Sequence, residues 1–198
     1  MPPERADRLL IVLGSVTPPG RLRRALVEAG ERREADGTAV QLLDLAEWRL
    51  GLADGRSADE LGADTAAVVD AVLAAQAVVF ATPVYRGSMT GALKNLFDLL
   101  PVESLAGKAV GTVSMGASDH HFLGADRHLR DVLAFFGALA MPVGVYLTGA
   151  DFEDGEVAAG AAARLDELLR GTVEAAAALA AGWSPGPAPL AARAVPRR

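Results

Sequence analysis

The sequence predicts an α/β domain in which a doubly wound, five-stranded parallel sheet carries helices on both faces. Short aliphatic runs without polar alternation recur along the chain, and such runs are typical of strands buried on both faces. Longer segments with apolar residues at helical spacing separate these runs. Because right-handed crossovers connect parallel strands, this alternation predicts one sheet between two layers of helices.

The predicted strands are the aliphatic runs at residues 9–13, 39–45, 77–81, 108–114 and 143–147. The predicted helices cover residues 22–35, 66–75, 90–100, 122–139 and 156–181. In sheets of this class, ligands bind beyond the carboxyl ends of the strands. We therefore expect the functional site in the loops that follow the first, third and fourth strands.

Length and composition predict one domain. We expect residues 1–183 to form it, and residues 184–198, which are rich in Pro, Ala and Arg, to be a disordered tail. The chain has no cysteine, which excludes disulfides and thiolate metal sites. Its net charge of −6 argues against a nucleic-acid surface. A charged N-terminus without a signal or membrane segment favours the cytoplasm.

The loop after the first strand has the composition of a phosphate site. Ser15 and Thr17 supply hydroxyl donors, and the loop runs directly into a helix that begins near Arg21 and Leu22. Free N–H groups and the positive end of the helix dipole attract an anion at such a point. The alternative is an ordinary helix cap with turn residues, and this loop alone leaves both open.

The loop after the third strand suits a planar ligand. Tyr85 offers a flat ring, Gly87 a close backbone approach and Ser88 a donor. The apolar residues that follow, Leu93 and Leu96 among them, form the buried face of the next helix. The candidate binding element is therefore the loop and not the helix.

Residues 14–15 and 83–94 together resemble the NADPH-dependent FMN reductases that supply reduced flavin to two-component monooxygenases. The resemblance implies a flavodoxin-like fold, with FMN and either NADPH or NADH as cofactors. It implies that the first loop holds the FMN phosphate, the second the ribityl chain and the ring, and the third the flavin edge. The candidate FMN-binding residues are Ser15, Thr17, Arg21, Leu22, Pro83, Val84, Tyr85, Arg86, Gly87, Ser88, Ser114, Gly116, Ala117 and Ser118.

Two positions depart from the family pattern. Gly20 stands where many members have a phosphate-binding Ser, and Ala117 stands where many have a second Gly. The first departure removes a hydroxyl from the phosphate loop, and the second implies less room beside the flavin edge.

The predicted activity is hydride transfer from NAD(P)H to FMN, with the reduced flavin supplied to a partner monooxygenase. Hydride transfer requires position and charge rather than a protein acid or base, so we predict no catalytic side chain. Backbone donors of residues 116–118 are the expected stabilisers of reduced flavin. The nearer alternative is an FMN-bound quinone, azo or nitro reductase. The other is a flavodoxin-like electron carrier, although carriers usually sandwich the ring between two aromatics and only Tyr85 is available here.

Two other kinds of site are disfavoured by spacing. His120 and His121 are adjacent and would leave a helix in different directions. His128 would lie about 10 Å from His121 by helix rise, which is too far for one metal ion. Thr112 breaks the pattern of a hydrolase nucleophile elbow. We therefore predict neither a metal site nor a hydrolase.

The helix predicted at residues 122–139 carries more apolar residues than one core-facing stripe requires. They are Phe122, Leu123, Leu129, Val132, Leu133, Phe135, Phe136 and Leu139. Large apolar patches that stay exposed usually mark interfaces. We therefore expect a homodimer or tetramer, and the family resemblance points the same way. The alternative is that neighbouring helices of the same chain cover this face.

Overall fold

The computed structural model describes residues 8–187. Four strands lie in parallel: β1 (Arg8–Leu13), β2 (Ala39–Asp44), β3 (Ala77–Pro83) and β4 (Ala109–Met115). The fifth position is shared by β5 (Leu139–Ala140) and β6 (Val145–Leu147), which both pair in parallel with β4. The order β2-β1-β3-β4-β5 confirms the predicted flavodoxin-like parallel sheet.

The helices of residues 8–187 pack in two layers: α1 (Arg21–Ala35), α2 (Ala63–Ala74), α3 (Gly91–Leu99), α4 (Phe122–Phe136) and α5 (Ala159–Ala180). β1 shows why two layers form. Leu10 and Val12 pack into the apolar cluster of α2, α3 and α4, whereas Leu9, Ile11 and Leu13 pack into that of α1 and α5. Successive residues of a strand point to opposite faces, so one aliphatic run fills both cores.

The fifth position of the sheet differs from the prediction, because β6 lies within the predicted strand at residues 143–147 and β5 is an additional short strand before it. β5 ends before Pro142, which lacks the N–H that a sheet ladder needs. Arg130 of α4 compensates, since its guanidinium donates to two backbone carbonyls of this segment at 3.0 and 3.1 Å. The chain then passes close to Thr112, where a Cβ atom at Gly144 would lie 2.3 Å from the Thr112 hydroxyl oxygen. Side chains of α4 and β4 therefore hold the interruption.

The predicted last helix starts too early, because the residues before it form a hairpin. β7 (Phe152–Glu153) and β8 (Glu156–Val157) pair antiparallel, and α5 begins only at Ala159. Asp154 and Gly155 at the turn have φ of 49° and 88°, as the primed turns of tight hairpins require. The Asp-Gly pair is the sequence signal for this turn.

α4 also ends before the predicted residue 139. Gly137 takes the left-handed conformation, with φ of 67°, that commonly terminates a helix. The other predicted ends lie within three residues of the observed ones.

The predicted tail follows α5, and its residues 188–198 lie outside the described part of the chain. None of the helices in residues 8–187 has the length and apolar character needed to cross a membrane.

Candidate functional site

Three loops meet at the carboxyl edge of the sheet: loop one (residues 14–20), loop two (residues 84–90) and loop three (residues 116–121). They follow β1, β3 and β4, which are neighbours in the sheet. Backbone hydrogen bonds tie their starts to adjacent strands. The Gly14 N–H donates to the Ala81 carbonyl at 2.7 Å, and the Val84 N–H to the Met115 carbonyl at 2.8 Å. The predicted convergence of the three loops is therefore present.

A cleft of about 240 Å³ opens at loop one. Several predicted residues line it, namely Ser15, Thr17, Arg21, Leu22 and Pro83. The hydroxyl groups of Ser15 and Thr17 lie 2.8 Å apart and hydrogen-bond each other. The structure thus brings loop one, the start of α1 and the end of β3 to one cleft.

The first turn of α1 is open to an anion. Its N-cap residue, Gly20, offers no side-chain cap, and no acidic residue lies in the turn. The first intrahelical bond runs from the Arg24 N–H to the Gly20 carbonyl at 3.1 Å, so the preceding N–H groups have no intrahelical partner. The start of α3 differs, because the Thr90 hydroxyl accepts from the Leu93 N–H at 3.1 Å. The free N–H groups and the dipole of α1 therefore fit a phosphate.

A buried carboxylate beside this cleft, that of Asp44, is paired with a guanidinium. Arg23 donates to it at 3.0 Å and reaches Glu47 at 3.2 Å. The Ala46 N–H also donates to Asp44 at 3.0 Å. Because an unpaired carboxylate would repel a phosphate dianion, the Arg23 ion pair weakens that repulsion at the cleft.

Loop two contains a tight hairpin turn. Tyr85 and Ser88 exchange two backbone hydrogen bonds, at 2.9 and 3.1 Å. Between them, Arg86 and Gly87 have φ of 54° and 76°, which is the primed turn geometry. The positive φ of Arg86 costs about 1 kcal/mol, because its Cβ crowds a backbone oxygen. The turn leaves the Tyr85 side chain 48% exposed, so its ring is available to a ligand.

α4 supports loop two through two residues outside the predicted set. His128 Nδ1 lies 2.7 Å from the Ser88 hydroxyl oxygen. A Cβ atom at Gly124 would lie 2.5 Å from the Gly87 carbonyl oxygen, so glycine alone allows this approach. Glycine inside a helix destabilises that helix by about 1 kcal/mol relative to alanine. A glycine within a predicted helix therefore indicates a close contact that leaves no room for a side chain. His128 carries no comparable signal.

Loop three is shaped by Tyr146 of β6. Its hydroxyl donates to the Ser118 carbonyl at 2.7 Å. A Cβ atom at Gly116 would lie 1.9 Å from the Tyr146 hydroxyl oxygen, so only glycine fits there. Burial, together with the charge of Asp119, raises the pKa of the Tyr146 hydroxyl, which therefore remains a neutral donor.

Two expectations for loop three change in the structure. The Gly116 N–H already donates to the Leu147 carbonyl at 2.9 Å. Of the expected backbone donors, those of Ala117 and Ser118 remain without a backbone partner among residues 8–187. Ser114 is buried within β4 and lines a separate cleft of about 200 Å³ on the α4 side. The structure therefore does not bring Ser114 to the cleft at loop one.

The three histidines do not gather at one point. His120 and His121 lie in a short 3-10 turn before α4, whereas His128 contacts Ser88 from within the helix. Across residues 8–187, no group of three His, Cys, Asp or Glu side chains is placed to hold a metal ion.

Comparison with known proteins identifies the family. The family model for NADPH-dependent FMN reductases matches residues 8–153. An NAD(P)H-dependent FAD/FMN reductase of Geobacillus thermodenitrificans is 38% identical over 125 residues, which cover 63% of this chain and 66% of that protein. An FMN reductase (NADPH) of Pseudomonas aeruginosa is 35% identical over 151 residues, which cover 74% of this chain and 80% of that protein.

A solved structure shows the same fold. The apo form of the NADH:FMN oxidoreductase EMOB superposes with a TM-score of 0.68 at 24% identity, over 91% of this chain and 92% of that one. The match of the family model over residues 8–153 and the relative of Pseudomonas aeruginosa show that the chain belongs to the NADPH-dependent FMN reductase family, as an oxidoreductase whose cofactors are FMN and NAD(P)H.

Proposed function

We propose that the protein transfers a hydride from NAD(P)H to FMN bound across loops one, two and three, and supplies the reduced FMN to a partner monooxygenase. The observation that carries the proposal is the uncapped, acid-free start of α1, which opens on a cleft at the same sheet edge as Tyr85. An anion site and an exposed aromatic ring match the phosphate and the planar ring of FMN.

Each part of FMN has candidate contacts. Its phosphate would accept from the free N–H groups of α1, from the hydroxyls of Ser15 and Thr17, and from the Arg21 guanidinium. The ribityl chain and the ring would lie along residues 83–88. Reduced FMN carries negative charge on the pyrimidine side of its ring, where the N–H groups of residues 117–118 would stabilise it.

When bound, FMN accepts a hydride from the nicotinamide, and no side chain has to give or take a proton at the reacting atoms. The chain contributes position and electrostatics. The turn at residues 85–88 holds Tyr85 at the sheet edge, and loop three contains no Phe, Tyr or Trp. The ring would therefore meet an aromatic side chain from loop two but none from loop three, which favours a reductase with an accessible ring face over an electron carrier.

Steady-state oxidation of NADPH and NADH, with FMN, FAD, a quinone and an azo dye as parallel acceptors, tests the activity. We expect FMN to be the preferred acceptor and to be released after reduction. A preference for the quinone or the dye, with FMN retained through gel filtration, would contradict the supply of free reduced flavin. No oxidation with any acceptor would contradict the reductase activity itself.

Ser15→Asp tests the phosphate site. A carboxylate would stand against the phosphate dianion, so we expect FMN affinity to fall about ten-fold or more, with little change for riboflavin, which lacks the phosphate. Ser184→Asp makes the same substitution beyond α5 and should leave FMN affinity unchanged. FMN affinity equal to that of the native protein in Ser15→Asp would remove loop one from the site.

We also propose that the protein assembles in the cytoplasm as a homodimer or tetramer through apolar residues of α4. Phe122, Leu123 and Phe135 are 53%, 49% and 58% exposed, so the rest of residues 8–187 leaves them largely uncovered. Val143 is 76% exposed and lines one cleft with Phe122 and Leu123. Light scattering should give the mass of two or four chains, and a monomeric mass with full FMN reductase activity would contradict the proposal.

A further inference from the structure

Arg21 differs from the two other arginines at the start of α1. Arg23 is paired with carboxylates, and Arg24 donates to the Gly155 carbonyl. Arg21 forms no ion pair and no side-chain hydrogen bond within residues 8–187. Instead its guanidinium lies over the ring of Phe152, with the Cζ atom 5.5 Å from the ring centroid. Arg21 is thus held by an aromatic face and not by a carboxylate.

This contact leaves the hydrogen-bonding capacity of Arg21 intact. A cation–π contact involves the charge of the guanidinium and takes up none of its N–H donors. Arg21 lines the cleft at loop one together with Ser15 and Thr17. Its donors are therefore free at the place where the proposed phosphate would bind.

Phe152 is itself firmly held. It begins β7 and pairs with Val157 across the hairpin. Its side chain packs against the apolar cluster of α1 and α5. Asp151, the residue before it, forms a capping box with Thr148 and accepts a hydrogen bond from Arg164 at 2.5 Å. The hairpin therefore offers a fixed surface beneath the guanidinium.

We propose that Phe152 is a positioning residue for FMN: it holds the Arg21 guanidinium at the loop one cleft with its N–H donors free to bind the phosphate. This inference rests on the proposed function, since it takes loop one as the phosphate site. An exposed arginine loses rotamer freedom when it binds a ligand. The contact with Phe152 removes part of that freedom before FMN arrives, which leaves less entropy to be lost on binding.

The test compares FMN with riboflavin, which lacks only the phosphate, in titrations followed by flavin fluorescence. Phe152→Leu stays apolar but loses the aromatic face, so we expect FMN affinity to fall about two- to five-fold with riboflavin affinity unchanged. Phe152→Tyr keeps the ring and should bind FMN like the native protein. If circular dichroism shows the leucine variant to be unfolded, Phe152→Met takes its place.

Arg21→Met completes a double-mutant cycle. It should lower FMN affinity about ten-fold or more, since a charge-assisted bond to the phosphate is lost. Adding Phe152→Leu to Arg21→Met should then change FMN affinity no further, because the ring acts only through the guanidinium.

Three results would overturn the inference, and they can be told apart. Equal losses for FMN and riboflavin in Phe152→Leu would show a general structural effect. A loss in Arg21→Met without one in Phe152→Leu would remove Phe152 from the site and leave the proposed function standing. If neither Arg21→Met nor Ser15→Asp weakens FMN binding, the phosphate lies elsewhere, and the proposed site fails with the inference.

Discussion

Loop one and loop two lie at the same sheet edge but are supported in different ways. The first residue of loop one, Gly14, is held by hydrogen bonds with β3 and Thr90. Beyond Gly14, loop one is braced from within, by the hydroxyl contact of Ser15 and Thr17, and ends in an open helix turn. Loop two is braced by a distant element, since α4 reaches it through His128 and Gly124. A phosphate site made of backbone N–H groups needs little more than a helix start. A site for a planar ring needs a fixed wall, and tertiary contacts supply it.

Gly124→Ala would break the support of loop two and should have the largest effect. The new Cβ atom would lie 2.5 Å from the Gly87 carbonyl oxygen, so α4 or loop two must move. We expect the free energy of unfolding to fall by about 1–3 kcal/mol and FMN affinity to fall several-fold. Chemical denaturation and FMN titration measure the two effects.

Gly160→Ala in α5 is the matched control. There the nearest atom to a new Cβ would be Arg164 Nη1, at 3.9 Å. Alanine should stabilise this helix by up to about 1 kcal/mol, because it has the higher helix propensity. A stabilisation by Gly124→Ala as well would contradict the close approach of α4 to loop two.

His128→Ala removes only the side-chain link to loop two, so its effect should be smaller. A hydrogen bond contributes about 0.5–1.5 kcal/mol net, which corresponds to a loss of about two- to ten-fold in FMN affinity. Ser88→Ala should lower FMN affinity at least as much. Adding His128→Ala to Ser88→Ala should lower FMN affinity no further. Fully additive losses would show that His128 does not act through Ser88. His128→Asn, which places a polar atom near the former Nδ1, should retain most of the affinity.

The comparison of the two loops also shows which structural features the residue pattern can predict. The sheet is predictable because local runs such as residues 9–13 must fill two cores at once, and only a strand between helix layers does so. The division of the fifth position into β5 and β6 cannot be predicted in this way. It depends on hydrogen bonds from the Arg130 guanidinium to backbone carbonyls that lie near it only after folding. The hairpin before α5 has a local signal in Asp154-Gly155, but the alanine-rich helix pattern that follows is longer and outweighs that signal.

The same distinction holds within the candidate site. Ser15, Thr17 and Tyr85 can be proposed from the sequence because they follow strand ends directly in the chain, and parallel strands end at one edge. Tyr146 and His128 shape the neighbouring loops from β6 and α4, and nothing local marks them. Phe152 belongs to this second group, because its contact with Arg21 joins positions far apart in sequence.

The smallest expected effect concerns the open end of loop one, at Gly20. Its φ of −132° suits any residue, and a Cβ atom there would approach only the Pro18 carbonyl oxygen, at 3.9 Å. Serine is a better N-cap than glycine by a few tenths of a kcal/mol, and alanine is a worse one. In chemical denaturation without flavin, Gly20→Ser should therefore raise the free energy of unfolding slightly, and Gly20→Ala should lower it. If both variants unfold at the native midpoint, the first turn of α1 is not an open helix end, and the contrast between the two loops loses its basis.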